Sequence, residues 1–256
     1  MLFLTGFLLP RASAAQVVIA PGEEISFTQA DSCIADTIVP GVLDDVARAR
    51  SFCDASTRRI GAQVRPIAGP NWVGLQTVQA RAFLRNEFVV DADSRTAGNT
   101  VGAWVTYDVD FKGLMLFIGF FSNPTVEIAI TLRDLTEHNT IKGELIWSRD
   151  GKGFGVSIPY IPIDFNFGGG LDDHGLTNTF ATVLTRGHSY RLDMRLICSV
   201  FSDGGLDVGS ECDYMNNFIG GSDGGAGWTR LAVKLGLDEA DILRRLQSLE
   251  SSVGTR

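Results

Sequence analysis

Carboxylates on glycine-rich backbone are the residues of this 256-residue chain whose types and spacing most directly suggest chemistry. Asp172 and Asp173 follow Gly168-Gly169-Gly170-Leu171 and precede His174, while Asp203 and Asp207 flank Gly204-Gly205-Leu206. Hard oxygen ligands beside flexible carbonyls suit calcium, which makes Asp172, Asp173, Asp203 and Asp207 its candidate ligands. Neither segment matches an EF-hand or a nonapeptide β-roll repeat, and the competing reading is a pair of solvated acidic turns. Asp172, Asp173 and His174 also hold acid–base groups, but sequence neighbours are not expected to converge on one reacting atom. His138 and His188 fall in turn-like segments where solvated polar residues are expected. Gly220-Gly221-Ser222-Asp223-Gly224 spells G-x-S-x-G, yet it opens toward a strand, whereas a nucleophile elbow needs a following helix. Gly151-Lys152-Gly153-Phe154-Gly155 lacks the helix N-terminus of a phosphate loop and reads as a hairpin turn. No catalytic constellation emerges, and no zinc spacing exists among three histidines and four cysteines.

The cysteines carry a different message. Cys33, Cys53, Cys198 and Cys212 are even in number and none lies in a CxxC, so they read as disulfide partners. Four cysteines allow three connectivities. Joining sequence neighbours closes two short loops, worth roughly 3 kcal/mol each, but spacing alone does not choose. Disulfides imply an oxidising compartment. The N-terminus points the same way: an apolar run from Leu2 to Leu9 precedes Ala12-Ser13-Ala14-Ala15, a small-residue cleavage pattern. Arg11 follows the apolar run and no cation precedes it, a departure from the usual order. The chain is expected to be secreted or to reside in the cell envelope. Its net charge of −8 disfavours a nucleic-acid partner, which needs clustered cations.

These groups need elements to position them. Residues 41–58 place Val42, Val46, Ala49 and Cys53 at helical spacing, which predicts an amphipathic helix. From about residue 72 to 236 the chain alternates like half-buried strands. Val101, Ala103, Val105, Tyr107 and Val109 share one face, and Val126, Ile128, Ile130 and Leu132 repeat the scheme. Ala-Gly-Asn, Ser-Asn-Pro, Arg-Asp-Gly-Lys-Gly and Gly-Gly-Gly-Leu-Asp-Asp mark the expected turns. Leu184 and Gly187 stand six and three residues before Tyr190, which opens a strand. That spacing resembles the tyrosine corner of Greek-key sandwiches, whose phenol bonds back to upstream backbone. No Cys-Trp-Cys framework of antibody type is present. The window 113–121 is too short to span a bilayer as a helix, which takes about 20 residues, and reads as an interior strand or an oligomer- or membrane-facing one. At the C-terminus, Leu235, Ile242 and Leu249 recur at seven with Leu246 and Val253 offset by four, predicting a short amphipathic helix.

The expected architecture is a mainly-β, antiparallel Greek-key sandwich, immunoglobulin-like or jelly-roll-like, with an N-terminal helix and a short C-terminal amphipathic helix. The expected divisions are a signal peptide over 1–14, an N-terminal extension over 15–70, the sandwich over 71–236 and a helical tail over 237–256. Function is expected to be non-catalytic: binding or structural, with loops contacting carbohydrate or another protein. Trp72, Trp104, Trp147 and Trp228 offer aromatic faces for a sugar if exposed and core if not. Ile242, Leu246 and Leu249 form an expected homo-oligomer interface or an intramolecular docking stripe. The alternatives are a secreted hydrolase with a non-sequential site and a membrane-interacting oligomer using strand 113–121. No transmembrane helix is expected.

Overall fold

A computed structural model describes residues 17–39, 47–66, 76–92, 100–119, 123–150, 154–157, 164–202, 211–215 and 224–236. These residues form strands and turns. In chain order the strands are β1 (Val17–Ile19), β2 (Glu24–Ser26), β3 (Ser32–Ile38), β4 (Ala47–Asp54) and β5 (Arg59–Pro66). Then come β6 (Gln76–Val90), β7 (Thr100–Gly119), β8 (Asn123–Asp134), β9 (Asn139–Asp150) and β10 (Phe154–Ser157). The last four are β11 (Asp164–Thr185), β12 (Ser189–Ser202), β13 (Glu211–Asp213) and β14 (Gly225–Leu235).

One sheet has the order β1-β6-β12-β8-β9, with β3 also on β6. The other runs β10-β11-β7-β13-β5-β14-β2, with β4 on β5 and β14 also paired to β7. Only β1–β6 is parallel among these pairings. The alternation read from the sequence decides which face is inside. Val101, Ala103, Val105, Tyr107, Val109 and Phe111 of β7 are buried in the same cluster as Tyr190, Leu192, Met194, Leu196, Cys198 and Val200 of β12. The two sheets therefore share one apolar core, each fully buried aliphatic side chain contributing about 1.5–3 kcal/mol.

The chain crosses from the second sheet to the first between β11 and β12, and Tyr190 fixes that crossing. Its buried hydroxyl donates to the Thr185 carbonyl at 3.0 Å and accepts the Thr185 N–H at 2.6 Å. Gly187 sits at φ 77°, where a Cβ would be strained, and its N–H reaches Val90. The disulfides form between sequence neighbours. Cys33–Cys53 ties β3 to β4, and Cys198–Cys212 ties β12 to β13, so each joins one sheet to the other.

Three expectations need correction. The predicted helix over 41–58 is not formed among its described residues: 47–54 are β4, in a hairpin with β5, and 41–46 lie outside the described residues. Ala49 and Cys53 lie four apart, which puts them on one face of a strand as well as of a helix. The hairpin prevails because it buries Ile60, Ala62 and Val64 completely. Its turn is held by the Asp54 carboxylate, which accepts the Ser56 and Thr57 N–H groups and the Ser56 hydroxyl. Second, the expected turn at Gly168–Asp173 is the middle of β11, paired residue by residue with β7 from Phe117 to Lys112. Twenty residues of continuous pairing outweigh the weak strand propensity of glycine. Third, Leu235 belongs to β14, fully buried opposite Ala103, and so is no member of a C-terminal helical seam. Ile242, Leu246 and Leu249, the expected C-terminal helix and the expected leader lie outside the described residues. Strands β1 to β5, from the expected N-terminal extension, take part in both sheets.

Candidate functional site

The two sheets present their edges on the same flank of the molecule, β9 from one and β11 from the other. Along β11 the even-numbered residues point inward, and they alternate in register with the inward face of β7. On β9 two bulges shift the phase. Trp147 pairs with Ile128 but Leu145 with Ala129, and Lys142 pairs with Leu132 but Thr140 with Arg133. The bulges bring Lys142, Glu144, Trp147 and Arg149 to the inner side although their numbers change parity.

Four contacts then close the flank. Arg149 Nη1 meets Asp172 Oδ1 at 2.9 Å. The Trp147 and His174 rings lie 4.8 Å apart, and Phe111 packs on both. Asn178 Nδ2 donates to Glu144 Oε1 at 2.7 Å. Lys142 Nζ stands over the Phe180 ring, 5.6 Å from its centroid. At the inner end of this seam Tyr214 Oη donates to Asp172 Oδ2. Gly113 makes room for the Tyr214 ring, since a Cβ there would lie 2.4 Å from its Cγ. Burial pushes the Tyr214 hydroxyl well above the usual phenol range, and the bond to Asp172 adds to the shift.

The structure separates the candidate calcium ligands. Asp172 is buried against Arg149 and Tyr214, whereas Asp173 faces out and pairs with Lys112 Nζ at 2.9 Å. The two carboxylates therefore address opposite sides of β11. Asp203 and Asp207 lie outside the described residues. Among the described residues no group of three or more His, Cys, Asp and Glu is placed to hold a metal ion. Asp172 and His174, by contrast, do share a face, with His174 Nε2 3.9 Å from Asp172 Oδ1. Residues two apart on a strand line one face, so Asp172 and His174 share a side that Asp173 does not. Half-exposed His174 is thus backed by a carboxylate and packed at a tilt against an indole. The arrangement offers an aromatic platform flanked by amide, guanidinium and carboxylate groups.

Other titratable groups are tied into structure. His188, expected to be solvated, bonds through Nδ1 to Asp134 Oδ2 at 2.7 Å. Burial alone would raise the Asp134 carboxyl, but His188 and the Glu137 and Thr136 N–H groups outweigh it and hold the carboxyl below its ordinary value. Asp193 is buried among Arg85, Arg191 and Arg133 on the outer face of the first sheet. Burial raises Glu211, partly offset by the Gln63 amide, which also bonds Asp213. His138 occupies the β8–β9 turn at φ 57°. Of the tryptophans, Trp228 is core, Trp104 is 43% exposed, Trp147 lies in the seam and Trp72 is outside the described residues. Residues 216–223, which contain most of the G-x-S-x-G match, are outside them too.

Trp147, Arg149, Glu144, Asn178 and Tyr214 escape a reading of linear motifs because they come from three separate strands or turns and meet only through folding. No helix among the described residues is long and apolar enough to cross a membrane, which leaves strand-built crossings aside. No family model, curated protein or solved structure matches this chain.

Proposed function

We propose that this chain is a secreted or cell-envelope, non-catalytic binding or structural protein, folded as a Greek-key β-sandwich. The observation that carries the reading is the pair of disulfides joining opposite sheets, since such bonds persist in oxidising compartments. The Tyr190 bond across the β11–β12 crossing supports the Greek-key assignment. Carbohydrate or protein is the ligand class; end loops are one route of contact, and the β9–β11 flank, with the Trp147–His174 pair as an aromatic platform and Asn178 and Glu144 as polar neighbours, is the other.

Export and thiol state test the compartment. Secreted material in which four cysteines titrate as free thiols would overturn it. A glycan array run beside a hydrolase-substrate panel tests the activity. Saturable sugar binding without turnover is expected; turnover that disappears in His174→Ala would establish the hydrolase alternative instead.

A further inference from the structure

The flank that carries the seam also leaves a long strand edge open. β10 covers β11 only from Asp164 to Phe167, and among the described residues nothing pairs with the far side of β11 beyond that point. The direction of its free backbone groups follows from three bonds. The N–H and C=O of Thr185 both bond Tyr190 Oη, and the N–H of Thr179 bonds its neighbour's Asn178 Oδ1. Odd-numbered residues of β11 therefore aim their N–H and C=O away from β7, as alternation in an antiparallel ladder requires. From Leu171 to Val183 this edge carries no Lys, Arg or Pro, and its register with β7 has no shift. The β9 edge, in contrast, is interrupted by two bulges and carries Lys142 and Arg149. Bulges, lysines and prolines are the usual protection against pairing with another chain. Exposed apolar side chains gather here as well: Leu171, Leu176 and Val183 on β11 and Trp104 on adjacent β7 are four of the eight large ones among the described residues.

We propose that the edge from Leu171 to Val183 pairs antiparallel with the same edge of a second copy of this chain, about a twofold axis at Thr177. Charge complementarity selects this partner and this register. Across the axis Leu171 meets Val183, Asp173 meets Ala181, Gly175 meets Thr179 and Thr177 meets itself; on the other face His174 meets Phe180 and Leu176 meets Asn178. No carboxylate faces a carboxylate. A parallel, in-register pair would stack Asp172 and Asp173 on their own copies, which like-charge repulsion disfavours. Each outward-facing residue exchanges two bonds with its opposite, giving roughly fourteen ladder bonds once Asn178 releases the Thr179 N–H.

The test is light scattering on the full, disulfide-intact chain across micromolar concentrations, with Thr177→Pro and Thr177→Lys alongside. The Thr177 N–H faces the open edge, so proline leaves the ladder to β7 intact while blocking the axis; lysine places two cations against each other. A concentration-dependent dimer is expected, weakened about tenfold or more by either variant, with the melting temperature of the dilute monomer unchanged. Thr177→Cys should oxidise to a covalent dimer, because hydrogen-bonded pairs sit about 5.5 Å apart, and Thr179→Cys should not. A chain that stays monomeric overturns the proposal. So does a dimer that both Thr177 variants leave unchanged, including one abolished by truncation after Gly236, which would place the interface in the C-terminal segment.

Discussion

Replacing Tyr214 with Phe isolates the bond at the inner end of the seam. The ring is completely buried and remains in place, so packing against Gly113 is preserved and only the hydroxyl is lost. Asp172, 3% exposed, keeps Arg149 on one oxygen and loses its donor on the other. A hydrogen bond to a charged group is worth about 1.5–3 kcal/mol, and water cannot easily replace this one. Tyr190→Phe is the matched control. It removes hydroxyl bonds to the uncharged Thr185 backbone, with an expected cost of about 0.5–1.5 kcal/mol each. For a chain of this size the Tyr214 variant should melt about 3–12 °C lower. Urea unfolding followed by tryptophan fluorescence would measure it, and the midpoint should move while the slope stays constant. Combining Tyr214→Phe with Asp172→Asn should give less than the sum of the two effects, because each removes the same bond. Additive costs, or a Tyr214→Phe penalty below about 0.5 kcal/mol, would refute the claim that Tyr214 and Asp172 act as a unit.

Three further outcomes follow from the same geometry. Replacing Cys198 and Cys212 by Ala should destabilise more than replacing Cys33 and Cys53, although the latter pair spans 20 residues against 14. Both lose about 3 kcal/mol of loop entropy, but only the first empties a fully buried site; the reverse order in chemical denaturation would contradict this. Burial raises the hydroxyls of Tyr107, Tyr190 and Tyr214, so their contribution to stability is complete below the unfolded phenol value of about 10 and fades as pH climbs above it. Their tyrosinate absorbance should appear only together with loss of the β circular-dichroism signal, and ionisation in the intact fold would count against their burial. Glu211 is raised by burial, which makes its charge unfavourable to the fold at neutral pH and harmless below the unfolded carboxylate value of about 4. Glu211→Gln should therefore raise the melting temperature at pH 7 and leave it unchanged in acid; a loss of stability at pH 7 would reverse the sign.

Strands with one wet face were readable wherever alternation was unbroken. Val101 to Phe111 bury the residues their parity assigns, and Val126 to Leu132 do so too, although Ala129 and Thr131 on the other face are also covered. The Tyr190 corner was readable for another reason: it is a local bond between residues five apart, so its signature sits in one short segment. The reading failed where two periods coincide. Ala49 and Cys53 satisfy a helix and a strand equally, and only the burial of β5 beneath the hairpin decides between them. The seam was hidden for a third reason. Lys142 and Glu144 share the inner side with Trp147 and Arg149 only because a bulge between Ile128 and Ala129 switches the parity of β9. Backbone irregularity of that kind leaves no alternating signal, and the residues it assembles looked like ordinary solvated side chains.

The two flanks of the fold are closed by unlike means. Where β3 and β4 meet, a covalent bond joins the sheets; a second, Cys198–Cys212, joins them through the interior. The β9–β11 flank has only side-chain pairs, and their worth falls steeply with exposure. Arg149–Asp172 is anchored by a buried carboxylate, whereas exposed Lys142 only rests over the Phe180 ring, a contact worth about 0.5–1 kcal/mol at such a site. Opening there costs less than opening at the disulfide-bonded side, so this flank is the softer one. It is also the flank with an unprotected strand edge. A second copy paired along Leu171–Val183 would order β11 from outside with backbone bonds, holding Asp172, His174 and Asn178 against β9 more firmly than their own contacts do. Assembly and the integrity of the seam are then the same problem: the strand that presents the edge is the strand that carries half of every pair.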